Sequence, residues 1–515
     1  MERPITRDRS RAGEGVMNHL LHDVRGSISV FMAAVIVMVC VLGSTVVSLA
    51  GLRQTEHQIA QAATLQADTI LSAYDRRLFD SYGVMAFGAQ VPDQIGAVVP
   101  MYKLPGTAHL EMSSAEDIKE GQALRNQIVD FMKVRTGEAI VERVGWCRDA
   151  YGEIGGFSVG EYLTDSTLGA SLRQISGLLE GDAEKTGPRS SVDVDPVTAG
   201  DVSSSDGGDL EQNSANWSDD DHTLALQGWD ALLEAGKTKL SFKGENPLDT
   251  DDVTLLDLTA LAECVNEAER LLDFGNLPIY DDLSLNVYAQ RMFKCQPTHC
   301  EASRNELYAT NLRHVRLAEL PTERNFEIEY ILFGKERDAE NQMTASSLLF
   351  GARLLIQLVD YRADEAKMAQ ARSMAAVLST LIAVLSVGNV MISPTVLTDL
   401  IWIVECALAA YKEFKSLCLG MPVDLWPYRE SGDLSLYYQD YMLLFSLFVP
   451  QDQIILRIAD LLEANSGLSL CMGVVVRIDW KGGPNGSLWR DVVIRAEYDR
   501  SSPEKEIVAD PSVEK

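Results

Sequence analysis

Ile28-Ser-Val-Phe-Met-Ala-Ala-Val-Ile-Val-Met-Val-Cys-Val-Leu-Gly-Ser-Thr-Val-Val-Ser-Leu-Ala50 contains no charged residue. At about 1.5 Å of rise per residue, a helix over this run crosses the roughly 30 Å hydrocarbon core of a bilayer. Arg3, Arg7, Arg9, Arg11 and Arg25 precede it, whereas behind it Arg53 is soon followed by Glu56 and Asp68. The excess of positive charge on one flank predicts a short cytoplasmic tail and sends the rest of the chain outward. A cleaved signal peptide is the alternative, with Ala50-Gly51 as a small-residue cleavage site. The run is far longer than the roughly 7–15 apolar residues of a signal core, which favours a permanent anchor. The expected location is the cell membrane, single-pass, with the lipid bilayer as the first partner.

Beyond the run, Leu52, Ile59, Ala63, Leu65, Ala67, Ile70, Leu71 and Tyr74 recur at helical spacing, with neither Pro nor Gly between Leu52 and Ser81. The pattern predicts one helix from the membrane outward to about Phe79, stopped at Gly83. Strand-like pieces follow at Val84–Phe87 and Ala108–Met112. A helix is expected over Ser114–Val144, because acidic residues at its start suit a helix N-terminus. Residues 181–222 are rich in Asp, Ser and Gly and nearly devoid of large apolar side chains. Such a stretch buries too little surface to offset its ordering entropy, so a solvated linker is expected, with bound calcium as the sharper alternative.

Past the linker, Thr223–Lys239, Thr254–Leu272 and Ala339–Met368 carry apolar stripes at helical spacing. Phe326-Glu-Ile-Glu-Tyr-Ile-Leu-Phe333 alternates as a half-buried strand does, and Leu468–Trp480 with Leu488–Tyr498 reads as a hairpin around Lys-Gly-Gly-Pro-Asn-Gly. A second uncharged stretch, Ser373–Thr398, is long enough to span a membrane. Ser, Thr, Gly and Asn interrupt it, Pro394 falls inside it, and Lys367 and Arg372 flank its start, so a pair of buried core helices is expected instead. The fold class is α+β, mainly helical, with small antiparallel β elements. The expected divisions are a basic tail (1–26), the span (27–52), its outward extension (53–82) and a first α+β segment (83–180). The linker (181–222), a main α+β domain (223–500) and a polar tail (501–515) complete them.

The chain has 515 residues and a net charge of −30. Phosphate binding needs clustered Lys and Arg, so nucleic acid is excluded as a partner, while like charge keeps an exposed body soluble. With Cys40 in the apolar run, seven scattered cysteines are left, which is no disulfide framework. The close pair Cys295 and Cys300 is the candidate disulfide; zinc there lacks a second Cys/His pair, and buried thiols are expected elsewhere.

No cofactor, metal site or catalytic set emerges. Gly156-Phe-Ser158-Val-Gly160 has the outline of a nucleophile elbow but lacks the buried strand that must precede it. Gly236-Lys237-Thr238 has no upstream glycine and reads as a helix end. Asn216-Trp-Ser218 and Asn485-Gly-Ser487 fit the glycosylation sequon. A non-enzymatic protein is expected, with a surface-anchored hydrolase or an extracellular ligand-binding module as the alternative. No signature of a particular oligomeric state is visible.

Arg25-Gly26-Ser27-Ile-Ser-Val-Phe31, the apolar helix, and Gln61-Ala-Ala-Thr-Leu-Gln-Ala-Asp68 resemble the N-terminus of tight-adherence (Tad/Flp) pilus proteins of the TadE/TadG-like group. A set of short motifs resembles a single-pass membrane family of Gram-positive bacteria that accompanies such pilus genes. They are Tyr74-Asp75…Leu78…Tyr82-Gly83-Val84-Met85-Ala86, then Glu327-Ile-Glu329-Tyr330-Ile-Leu-Phe-Gly334-Lys335 with Glu340-Asn341. Trp402…Glu405, Gly420-Met-Pro422-Val…Trp426, Tyr437…Asp440-Tyr441 and Arg457…Asp460 follow in the same order. The resemblance implies an accessory or minor component of a pilus or secretion apparatus, with pilus-apparatus proteins as partners. It places Gly26 and Ser27 at a possible processing junction. The fifth residue after Gly26 is Phe31 rather than the Glu of a true prepilin, which favours a permanently anchored role.

Overall fold

The computed structural model describes residues 12–96, 107–133, 163, 166–179, 219–240, 242, 253–271, 283–299, 324–386, 390–428, 435–482, 488–498 and 506–508. The described part is mainly helical with small antiparallel sheets, as the sequence predicts. It divides into two compact units that cut across the expected segments: residues 1–74, 86–117 and 470–515 form one, and 75–85 with 118–469 the other.

In the first unit, helix α1 (Ala12–Leu71) runs without interruption through the apolar stretch. Between Ile28 and Leu49 its large apolar side chains are exposed. Its last turns are different: Ile59, Ala62, Ala63, Ala67 and Ile70, at helical spacing, are fully buried against a sheet. The alanines let the helix lie close to that sheet, and each buried isoleucine contributes about 1.5–3 kcal/mol. The sheet has five antiparallel strands: β1 (Phe87–Gly88), β2 (Thr107–Asp117), β3 (Leu470–Gly482), β4 (Leu488–Glu497) and β5 (Glu506–Val508). Val474, Val476, Ile478 and Trp480 alternate toward α1, so one face of β3 is core and the other is wet. The expected hairpin is present, with Gly473 opposite Glu497 and Gly482 opposite Leu488.

Four expectations for this part of the chain need correction. The outward helix ends at Leu71 rather than Phe79. Asp75 then caps a new helix by accepting from the Arg77 and Leu78 amides, and Gly83 closes that one as expected. Ser114–Asp117 belongs to β2, paired with Val474–Cys471, and the next helix begins only at Gln122. The ladder with β3 outweighs the acidic residues that suit a helix start, a long-range effect that local propensity does not contain. In the tail, Glu506–Val508 adds a strand against Val493–Arg495. Of the strand expected at Val84–Phe87, only Phe87 is in a ladder.

Among its described residues the second unit is mainly helical, with a two-residue ladder between Val423–Asp424 and Ser435–Leu436 and an isolated antiparallel bridge between Lys239 and Thr254. Its helices are α2 (Arg76–Tyr82), α3 (Gln122–Met132), α4 (Ser166–Leu179), α5 (Asp219–Lys237), α6 (Leu258–Leu271) and α7 (Ser284–Met292). They continue with α8 (Glu327–Phe333), α9 (Asp338–Ala363), α10 (Glu365–Leu385), α11 (Pro394–Cys418), α12 (Tyr438–Ser446) and α13 (Gln451–Ser466). Helix α5 starts at Asp219, inside the end of the expected linker; the rest of the linker, the Gly156–Gly160 motif and both sequons lie outside the described residues.

The helix expected over Ala339–Met368 is two helices, because Asp364 ends α9 and caps α10 by accepting from the Ala366 and Lys367 amides. Ser373–Thr398 falls on α10 and the start of α11, where Met374, Ala375, Leu378, Ile382, Leu397 and Thr398 are buried. These are core helices, as expected. Pro394 occupies the first turn of α11 behind the cap Ser393, where its missing amide proton costs nothing. Among the described residues three helices are long and apolar enough to cross a membrane: α1, α9 and α11.

Candidate functional site: a buried polar network

Several of the short motifs singled out in the sequence meet in the second unit around α8, among them Tyr82, Asn341, Arg457 and Asp460. Phe326–Phe333 was expected to be a strand and is a helix. Its alternation of Glu with apolar residues would turn both acids to solvent on a strand. In the helix, Ile328, Ile331 and Leu332 pack inward at i, i+3, i+4, and Glu327 and Glu329 are fully buried with them. Burying two acids is tolerated only where each finds partners. Glu327 accepts from the Lys294 amide and from Asn465 Nδ2, both at 2.8 Å. Asn465 Nδ2 also donates to Tyr82 Oη at 2.8 Å, while the Tyr288 hydroxyl donates to the Tyr82 carbonyl.

Glu329 Oε1 accepts from the Gln296 amide at 2.9 Å and from the Tyr438 hydroxyl at 2.7 Å. Its other oxygen, Oε2, is buried without a hydrogen-bond partner among the described residues. Burial pushes this carboxyl up to about 7, against the opposing pull of the Gln296 amide and the Tyr438 hydroxyl. The rise reflects the cost of holding a charged carboxylate where one of its oxygens meets no donor.

The end of α8 is locked by its motif residues. Gly334 has φ +66°, and a Cβ there would lie 2.5 Å from Arg457 Nε. Arg457 Nη1 donates to the Ile331 and Leu332 carbonyls at 2.7 Å each, satisfying groups that a helix end leaves open. Asn341, fully buried, accepts from the Lys335 amide and donates to the Lys335 and Arg337 carbonyls, so it cradles the turn into α9. Tyr330 donates to Asp460 at 3.3 Å and lies under the Arg324 guanidinium, 4.1 Å from ring centre to Cζ. Lys119 bridges Asp460 and Glu463, and those two partners hold its ammonium above the ordinary value.

A second row of polar groups lies on α9 itself and has no counterpart in the sequence reading. Arg353 is fully buried and donates through Nε and Nη2 to Glu413 of α11, at 2.9 and 2.5 Å, and through Nη1 to the Tyr441 hydroxyl at 2.9 Å. Burial acts to lower the guanidinium's pKa; Tyr441 and Glu413 hold it above the ordinary value. Gln357 donates to the other Glu413 oxygen at 2.7 Å. Asp360 accepts from the Tyr428 amide, and Tyr361 donates to Glu405 at 2.6 Å. Trp402 and Glu405 do share one face of α11 and meet consecutive residues of α9: the Arg362 guanidinium stands over Trp402 at 5.3 Å. A charged residue inside Leu348–Leu358 was the available signal for this row, since such a residue in an apolar helix implies a partner.

Cys295 is buried, with its Sγ 3.7 Å from Gln439 Nε2, and Cys300 lies outside the described residues. Cys264, Cys406 and Cys471 are buried, and burial pushes the Cys264 thiol up to about 11. Gly26 and Ser27 fall within the unbroken backbone of α1. Lys237 is the last residue of α5, a helix end as expected.

Residues 217–402 match the model of a family of unknown function (DUF5702). The matched stretch runs from just before α5 to Trp402, so it holds Glu327, Glu329, Asn341 and Arg353. Their partners Tyr82, Glu413, Tyr438 and Asn465 lie outside it. No curated protein and no solved structure matches the chain.

Proposed function

We propose that the chain is a non-enzymatic, membrane-anchored protein of the cell envelope, an accessory or minor component of a tight-adherence-type pilus or a related secretion or adhesion apparatus. The observation that carries the anchoring is α1, a single helix with bare apolar surface from Ile28 to Leu49 and a face built into a folded unit from Ile59 to Ile70. Its arginine-rich leader favours a cytoplasmic N-terminus and an extracytoplasmic body. The ordered set of motifs supports the pilus reading. Tyr82, Glu327, Tyr330, Asn341, Arg457 and Asp460 are held by structural hydrogen bonds inside the helical unit, which supports a scaffold rather than a catalytic centre.

The test is a C-terminal epitope tag followed through mechanical shearing of intact cells. Full-length protein is expected to stay with the membrane and to lose its tag to external protease. A tag in the sheared fibres, on a chain beginning at Ser27, would make it a processed subunit instead, and a tag protected in intact cells would overturn the topology. Deletion of the gene is expected to reduce piliation and adhesion; unchanged piliation would sink the pilus reading.

A further inference from the structure

The wet face of the sheet in the first unit carries a trio of side chains that the anchoring does not use. His109 and Glu111 are two residues apart on β2 and share a face. Asp479 of β3 is the direct cross-strand neighbour of His109, a position where Cβ atoms come within about 4.5–5.5 Å. One ligand atom from each of the three lies within 4.8 Å of the other two, and His109 Nδ1 is 4.0 Å from Glu111 Oε1.

Among the described residues, Asp479 Oδ1 is shielded from water and accepts no hydrogen bond. Its contact is an ion pair with Arg477 Nε at 3.4 Å, and that guanidinium is engaged through Nε and Nη2 with Asp491. Asp479 therefore brings one cationic neighbour to the trio, and its carboxylate has lone pairs left to coordinate beside an imidazole and a second carboxylate.

We propose that His109, Glu111 and Asp479 bind a divalent first-row transition metal ion, with zinc as the best fit and water completing its coordination. One imidazole nitrogen and two carboxylates make a mixed donor set that suits zinc, whereas calcium takes six to eight oxygens and magnesium a strict octahedron. Zinc–ligand bonds of about 2.0–2.2 Å require the three groups to close in slightly. The exposed Glu111 side chain can do so by rotation, while the backbone under all three is already fixed by the ladder from Thr107–Lys481 to Asp117–Cys471. The metal would therefore clip β2 to β3.

Zinc chloride titrated into the tag-free, full-length protein in detergent micelles, read by calorimetry and by thermal unfolding, tests this. Wild type is expected to show a binding event that His109→Ala weakens at least tenfold, with Asp479→Asn and Glu111→Gln acting in the same direction. His57→Ala, an exposed histidine on α1, should leave that event unchanged. Zinc is expected to raise the unfolding midpoint of wild type but not of His109→Ala, and calcium at the same concentration to raise neither. All three substitutions are on the strand face away from the core, and circular dichroism verifies that the variants fold. Equal zinc binding by wild type and His109→Ala, or no binding by either, would overturn the site.

Discussion

From Ile28 to Leu49 helix α1 leaves its large apolar side chains exposed, whereas α9 buries most of its length from Asn341 to Tyr361. Both helices are long enough to span a bilayer, and the difference lies in where their polar groups find partners. In α1, Ser44 and Thr45 donate to the Val41 and Leu42 carbonyls of their own helix at 2.8 Å, so the segment is self-sufficient in hydrocarbon. In α9, Arg353, Gln357, Asp360 and Tyr361 form a row at i, i+4, i+7, i+8 whose partners are all on other segments: Glu413, Tyr428 and Glu405. Hydropathy averages over that row and hides it. What separates an anchor from a core helix here is whether the helix satisfies its polar atoms alone.

Breaking the row should have the largest effect. Arg353→Ala leaves Glu413 facing a cavity without its cation, and such a loss costs about 3–5 kcal/mol. Chemical unfolding followed by circular dichroism should show the helical unit strongly destabilised. Arg353→Met with Glu413→Leu should recover much of the loss, because removing both charges also removes the need for a partner.

The reverse experiment puts a charge where no partner exists. Val39→Arg, in the exposed middle of the anchor, is expected to reduce insertion by about 2.5–3.5 kcal/mol, read as the fraction of chain extracted from membranes by carbonate. Unfolding of the helical unit should be unchanged, since α1 belongs to the other unit.

Glu329 sharpens the comparison through pH. Its carboxyl is raised from the ordinary 4.5 to about 7, so below about pH 4.5 both folded and unfolded chains hold the proton and this contribution to stability is complete. As pH rises toward 7 the unfolded chain releases the proton first, and stability falls by on the order of 3 kcal/mol before levelling off above 7. Glu329→Gln keeps an oxygen acceptor for Gln296 and Tyr438 and cannot ionise. The difference in unfolding free energy between variant and wild type should therefore move in the variant's favour between pH 5 and 7. A difference that stays flat with pH would show Glu329 to be ionised in the fold.

Much of the fold was legible in the sequence, including the long exposed apolar helix, the hairpin of β3 and β4, and the core character of Ser373–Thr398. Two of the errors share a cause. Ser114–Asp117 and Phe326–Phe333 each hold a local pattern compatible with two structures, and distant residues chose between them. The β3 ladder drew the first into a strand, while the Lys294 and Gln296 amides, Tyr438 and Asn465 made a helix with two buried acids acceptable in the second.

The sequence alone determined that the chain carries a membrane-length apolar helix, an acidic body and mainly helical architecture, because charge, length and periodicity follow from backbone geometry over a few turns. Only the tertiary structure decided that one sheet is assembled from both ends of the chain and that the motif acids are core residues. It alone also set His109 beside Asp479. Each of those facts depends on which residues meet across hundreds of positions, and a hydrogen bond, an ion pair or a metal site exists only when both partners are in place.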